Sequence, residues 1–224
     1  MQNYINIYNS LVKKLKSTRR NENLFLLTNS ILKLIGFTSL VIFLALLIES
    51  IAFGDVTFRT ILAGAIFITF IVCFGLLVLP ILLRILNIKN NPSILDIALR
   101  VGKYYPDIKD KIGNSLQLMP IYKNSNGMSP ELALAAFMKN YEESYNKDFN
   151  VIINKDELKK KLLIYLIPFL LLSISLIAFK DTFGESLFRI TNYNKSFLPP
   201  VTFNLRVIPE KLTVSRGEKL NIEI

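Results

Sequence analysis

The chain has 224 residues, 51% of them hydrophobic, with a formal net charge of +10 and a mean hydropathy of +0.40. It holds no histidine and a single cysteine, Cys73, which excludes imidazole acid–base chemistry, zinc centres of Cys and His, and any disulfide within the chain. A basic excess of this size fits nucleic acid when the remainder is polar; here the lysines and arginines flank long apolar runs, so the expected electrostatic partner is the anionic face of a lipid bilayer and not nucleic acid.

Residues 4–20 place Tyr4, Ile7, Tyr8, Leu11, Val12 and Leu15 at helical spacing, interleaved with Lys13, Lys14, Lys16, Arg19 and Arg20. This is the pattern of an amphipathic helix lying on anionic lipid; a helix packed on a protein partner would carry the same pattern. A first span is expected over Ile31–Phe53. Its interior from Leu34 to Ile48 is uninterrupted, with Lys33 able to snorkel at one end and Glu49 near the other. The basic stretch before it is too long for a signal-peptide n-region, and no small-residue cleavage site follows, so it reads as a retained anchor. After a short turn around Gly54, with Asp55 and Arg59, a second span covers Ile61–Leu83, 23 residues without a charge, closed by Arg84. About 20 residues at about 1.5 Å each cross the hydrocarbon core.

The segment 84–161 is polar and basic. One helix is expected to start near Pro92 and Ser93, with Ile94, Ile97, Ala98 and Val101 on one face and Asp96 paired to Arg100 at i, i+4. Pro106 interrupts it, and the periodicity resumes through Ile108, Ile112, Leu116 and Leu118. Asn124 to Gly127 read as a loop. Ser129 as N-cap and Pro130 at the first helical position open another helix, with Leu132, Leu134, Ala135, Phe137, Met138, Tyr141 and Tyr145 on its apolar face. The charges Asp107, Lys109, Asp110 and Lys111 read as a solvated helix face, and no GxxxxGK[ST] or GxGxxG sequence offers a phosphate cradle.

A third span is expected over Leu162–Phe179, 18 residues preceded by Lys159, Lys160 and Lys161 and followed by Lys180. Pro80 and Pro168 lie inside spans, where proline is tolerated when neighbours re-satisfy the freed carbonyl. Beyond a juxtamembrane stretch, Asp181–Tyr193, the run from Thr202 to Val207 alternates polar and apolar residues, as do the residues around Leu220, Ile222 and Ile224. Such alternation argues for antiparallel strands. Two or three strands do not make a stable sheet alone, and the alternation is still running at Ile224. The sequence is therefore expected to be the first part of a longer protein whose remainder completes an Ig-like β-sandwich.

Lysine and arginine cluster before the first span and between the second and third. By the positive-inside rule these segments are cytoplasmic and residues 180–224 lie outside. The expected fold is thus mainly α: a three-span helical membrane protein with a small helical insert inside and the first strands of a β-sandwich outside. Its parts are 1–30 (amphipathic helix), 31–83 (two spans), 84–161 (cytoplasmic insert), 162–179 (third span) and 180–224 (outer segment). Lys13, Lys14, Lys16, Arg19, Arg20, Lys159, Lys160 and Lys161 are the expected membrane-surface contacts.

Several stretches carry a resemblance: Asp96-Ile97-Ala98-Leu99-Arg100, Tyr105-Pro106-Asp107-Ile108-Lys109-Asp110-Lys111, Asn114-Ser115-Leu116-Gln117-Leu118, Ser129-Pro130-Glu131-Leu132, Arg189, Val207-Ile208-Pro209 and Val214-Ser215-Arg216-Gly217. Across nearly its whole length the chain resembles the N-terminal part of an uncharacterised bacterial family of large inner-membrane proteins. The resemblance implies two spans, a cytoplasmic insert, a third span and a periplasmic β-sandwich region, with no established activity and no catalytic residues.

Three functions compete. A non-catalytic anchor, presenting an outer β domain and an inner helical bundle to protein partners or to further copies of itself, needs no chemistry and no cofactor. A subunit of an oligomeric transporter or channel would place ionisable groups inside the spans, and the span interiors carry none. A membrane enzyme using Ser173 or Ser175 lacks a histidine or a lysine at that depth to activate them. The first reading is therefore expected.

Overall fold

The computed structural model describes residues 2–88, 91–124 and 130–198. Among these residues the chain is helical, with no strand. The expected strands between Thr202 and Ile224, the Ser129 cap and the turn at 125–127 lie outside the described residues.

One helix organises the molecule. α1 runs unbroken from Gln2 to Ala52, 51 residues, or about 75 Å at 1.5 Å per residue. The amphipathic segment and the first span, expected as separate elements, are thus two halves of one rod: nothing in the sequence between Arg20 and Ile31 breaks a helix, since it contains neither Gly nor Pro. Three segments are long and apolar enough to cross a membrane: a window in α1, Val56–Ile85, and Asp156–Ala178.

The second of these starts with α2 (Val56–Cys73), capped by Asp55, whose side chain accepts from the Phe58 N–H at 2.9 Å. It continues through a π-helical turn, Phe74–Val78, into α3 (Leu79–Ile85). The widened turn sits directly before Pro80. Proline has no N–H and its ring clashes with the carbonyl four residues back, and here the Leu79 N–H bonds Phe74 O, five residues back, which keeps the helix continuous past the proline. The third helix, α7 (Lys155–Ala178), accommodates Pro168 without interruption. It packs along the second half of α1. The two helices come close at Gly36, where a Cβ would stand 2.9 Å from Tyr165 O, and the Phe37 and Tyr165 rings lie beside it, centroids 6.0 Å apart. Most other apolar side chains of these helices, including Ile61, Phe67, Ile68, Leu163, Ile167 and Ile177, are exposed on the monomer, as a segment solvated by lipid requires.

The first half of α1 belongs to a different core. α4 (Ile94–Tyr104), a 3₁₀ turn at Pro106–Ile108, α5 (Lys111–Asn124), α6 (Pro130–Tyr145) and a second 3₁₀ turn at Phe149–Ile152 form a helical bundle. Its buried centre joins Leu11 and Leu15 of α1 to Ile97, Ala98, Val101, Ile108, Ile112, Phe137 and Phe149. The apolar face running from Ile7 to Leu15 is therefore covered by the chain's own helices instead of lying on lipid. Periodicity identifies such a face but is silent about what covers it. Leu132 and Ala135, expected on the apolar face of α6, are exposed.

The expected Asp96–Arg100 pair is replaced by two other contacts. Asp96 closes a capping box with Ser93 at the start of α4. Arg100 instead forks onto Glu22 of α1, its Nη2 donating to Oε2 at 3.0 Å. A carboxylate committed to its own helix N-terminus is not available one turn later.

Candidate functional site

At the end of α1 farthest from the bundle, a second core of Ala45, Leu46, Leu172 and Ile190 supports a buried cluster of charges. The chain leaves α1 through Phe53, at φ 42°, a left-handed conformation that costs a non-glycine residue energy. It then turns at Gly54 into α2. After α7 a π-helical turn, Lys180–Gly184, leads into α8 (Glu185–Thr191), which turns the expected juxtamembrane stretch back against α1 and α2.

Three ionisable side chains meet there: Glu49 of α1, fully buried, Arg59 of α2, 1% exposed, and Arg189 of α8, 8% exposed. Arg189 Nε donates to Glu49 Oε1 at 3.1 Å, and Arg59 Nε lies 3.5 Å from the same oxygen. The remaining donors are also used. Arg59 Nε and Nη2 donate to Gly54 O at 2.9 and 2.8 Å, and Nη1 donates to Lys195 O at 2.8 Å. Arg189 Nη2 donates to Ser186 Oγ at 3.0 Å and Nη1 to Glu185 Oε2 at 3.4 Å. Each guanidinium also lies over a ring, Arg59 over Phe197 and Arg189 over Phe53, both at 4.8 Å. The Phe53 ring against Arg189 gives the strained exit from α1 a compensating contact.

Desolvating three charges is expensive unless pairing and hydrogen bonds are nearly complete, and here, among the described residues, Glu49 Oε2 alone of the cluster's polar atoms is buried without a partner. Such a cluster fixes geometry. It ties α1, the Gly54 turn, α2, α8 and the segment through Phe197 into one unit. It offers no nucleophile beside a base, and no group of His, Cys, Asp and Glu able to hold a metal occurs among the described residues.

The eight expected membrane-surface residues separate into three sets. Lys14 is turned into the bundle, donating to Lys147 O at 2.9 Å and to Tyr145 O, with its ammonium 4.3 Å from the Phe149 ring centroid. Lys159 and Lys161 pair with Asp156 and Glu157 of their own helix. Lys13, Lys16, Arg20 and Lys160 are exposed and make no ion pair among the described residues, and Arg19 donates to Pro92 O at 3.2 Å. Lys16, Arg19 and Arg20 share one cleft, whereas Lys159–Lys161 stand apart on α7.

Sequence reasoning noticed Glu49, Arg59 and Arg189 singly and missed their meeting. The available signal was an acidic residue and an arginine at the ends of the first two apolar runs and a second arginine ten residues past the third, all at the ends that charge bias places on the same side.

Comparison with known proteins finds no matching family model, no similar curated protein and no similar solved structure.

Proposed function

We propose that the chain is a non-catalytic integral membrane anchor that holds an inner helical bundle and an outer region in a fixed mutual relation, so that a load or partner on one side is felt on the other. In this reading the bundle and the N-terminus are cytoplasmic, following the lysine and arginine bias. The Glu49–Arg59–Arg189 cluster sits at the outer face of a bacterial inner membrane. Residues 199–224 begin the outer β-sandwich that the family resemblance implies, and protein partners or further copies of the chain bind on either side.

The observation that carries the reading is the continuity of α1. Leu15, in the centre of the bundle, and Glu49, in the buried cluster, belong to the same uninterrupted helix and stand about 50 Å apart at 1.5 Å per residue. A rod fixed by buried side chains at both ends transmits displacement, whereas a flexible tether would not.

The test is amide exchange of α4 and α5 in the protein reconstituted in liposomes. Glu49→Ala is expected to accelerate exchange in the bundle, and a three-glycine insertion after Asn29, interrupting α1, is expected to abolish that effect. Bundle exchange indifferent to Glu49→Ala removes the coupling. Solute flux through the same liposomes replaces the anchor reading with that of a transporter or channel subunit.

A further inference from the structure

Beside the bundle, where α3 ends, lies a cleft of about 290 Å³ between α1 and the α3–α4 connection. Among the described residues its polar lining is Lys16, Arg19, Arg20, Asn23, Asn87 and Asn91, three cations and three amides with no carboxylate. We propose that this cleft binds a phosphate-bearing anion, most simply the headgroup of an anionic phospholipid. The proposal rests on the membrane reading above only for the level at which the cleft sits.

The cleft is held by contacts that leave its charges available. α3 ends in a Schellman motif: Asn87, at φ 57°, donates its N–H to Arg84 O at 3.1 Å, and the Ile88 N–H donates to Leu83 O at 2.9 Å. This places the Asn87 side chain over the gap, where it bonds Asn91, and Asn91 in turn accepts from Asn23 Nδ2 at 3.4 Å. Arg19 is held against Pro92 O through one nitrogen, while Lys16 and Arg20 pair with no acid among the described residues. Phosphate oxygens are the acceptors that such a set of planar and point-charge donors fits.

One further feature favours a lipid over a free ion. The apolar side chains of Leu24 and Ile85 line the same cleft, and Leu86 and Ile88 are exposed beside it, a surface suited to the first carbons of acyl chains.

The experiment uses the full chain in phosphatidylcholine nanodiscs containing a few mole per cent phosphatidylglycerol, with retained lipid read by native mass spectrometry. Lys16→Gln combined with Arg20→Gln should reduce retention of phosphatidylglycerol on the order of tenfold. Lys159→Gln combined with Lys160→Gln, which removes the same charge from α7 outside the cleft, should reduce it far less. Both pairs are exposed, and unchanged helix content verifies folding. A second arm titrates inorganic phosphate: displacement of the lipid at millimolar concentration assigns the cleft to a soluble phosphate ligand, and no displacement assigns it to the lipid. Equal loss in both variants, or no preference for phosphatidylglycerol over phosphatidylcholine, overturns the site and leaves only diffuse surface attraction. Failure of the membrane reading would appear separately, as a chain that stays monodisperse without detergent.

Discussion

Glu49 and Glu185 both contact Arg189, at 3.1 and 3.4 Å, yet their surroundings predict opposite consequences. Glu49 is fully buried and shared between two guanidinium groups, so Glu49→Gln strips Arg59 of its carboxylate and leaves Arg189 only the exposed Glu185. A cost of about 3 kcal/mol is expected, the range for breaking a buried pair from one side. Glu185 has a side chain 71% exposed, where water screens the pair, and Glu185→Gln should cost less than about 1 kcal/mol. Thermal unfolding of the two variants in the same detergent measures the contrast, and equal losses would show that the cluster is not desolvated. The identities of these residues were legible in the sequence; their burial was not. Glu49 and Arg189 are 140 positions apart, and no spacing rule reaches across two intervening helices and a bundle.

At the level of single elements, local chemistry was the better guide. Ser93 and Asp96 sit at the positions a helix start requires, and they form the reciprocal cap of α4. Ser93→Ala should destabilise the bundle by about 1 kcal/mol at neutral pH. The Ser93 hydroxyl, and with it the Ser93 backbone N–H, holds the Asp96 carboxyl below the usual carboxylate range. A depressed folded-state value means that this contribution is present above the unfolded-state pKa and fades as the pH falls through the folded one. The difference in melting temperature between the native chain and Ser93→Ala should therefore shrink on acidification below about pH 4, and a difference constant down to pH 2 would count against the box. The Asp107–Lys147 pair, at 2.8 Å, obeys the same logic at both ends of the scale. Hydrogen bonding lowers the aspartate and raises the lysine, so the pair is lost in strong acid and again in strong base. The π turn before Pro80 illustrates the limit of local reading: the proline marks where a backbone donor is missing, while the form of the accommodation depends on where the next carbonyl can be reached.

For the whole molecule, the two buried cores belong to different solvents. The core around Leu11 and Leu15 is the buried centre of the helical bundle, and Leu15→Ala there should cost about 2–5 kcal/mol. Proteolysis of the reconstituted protein is expected to reach α4–α6 in that variant while leaving α2 and α7 protected; cleavage within α2 or α7 would show that the bundle and the spans unfold as one unit. What the sequence alone determined was which segments can enter lipid. Transfer from water is close to a sum over residues, so an uncharged run such as Ile61–Leu83 announces itself wherever it stands. It also determined which faces of the polar helices are apolar, because a helix repeats every 3.6 residues. Only the tertiary structure decided what meets those faces: that Ile7, Tyr8, Leu11 and Leu15 are covered by α4, α5 and α6, that Arg100 takes Glu22, and that Glu49 is enclosed by two arginines. These are properties of pairs, set by how helices rotate and approach one another, and a linear pattern carries the face of a helix without its partner.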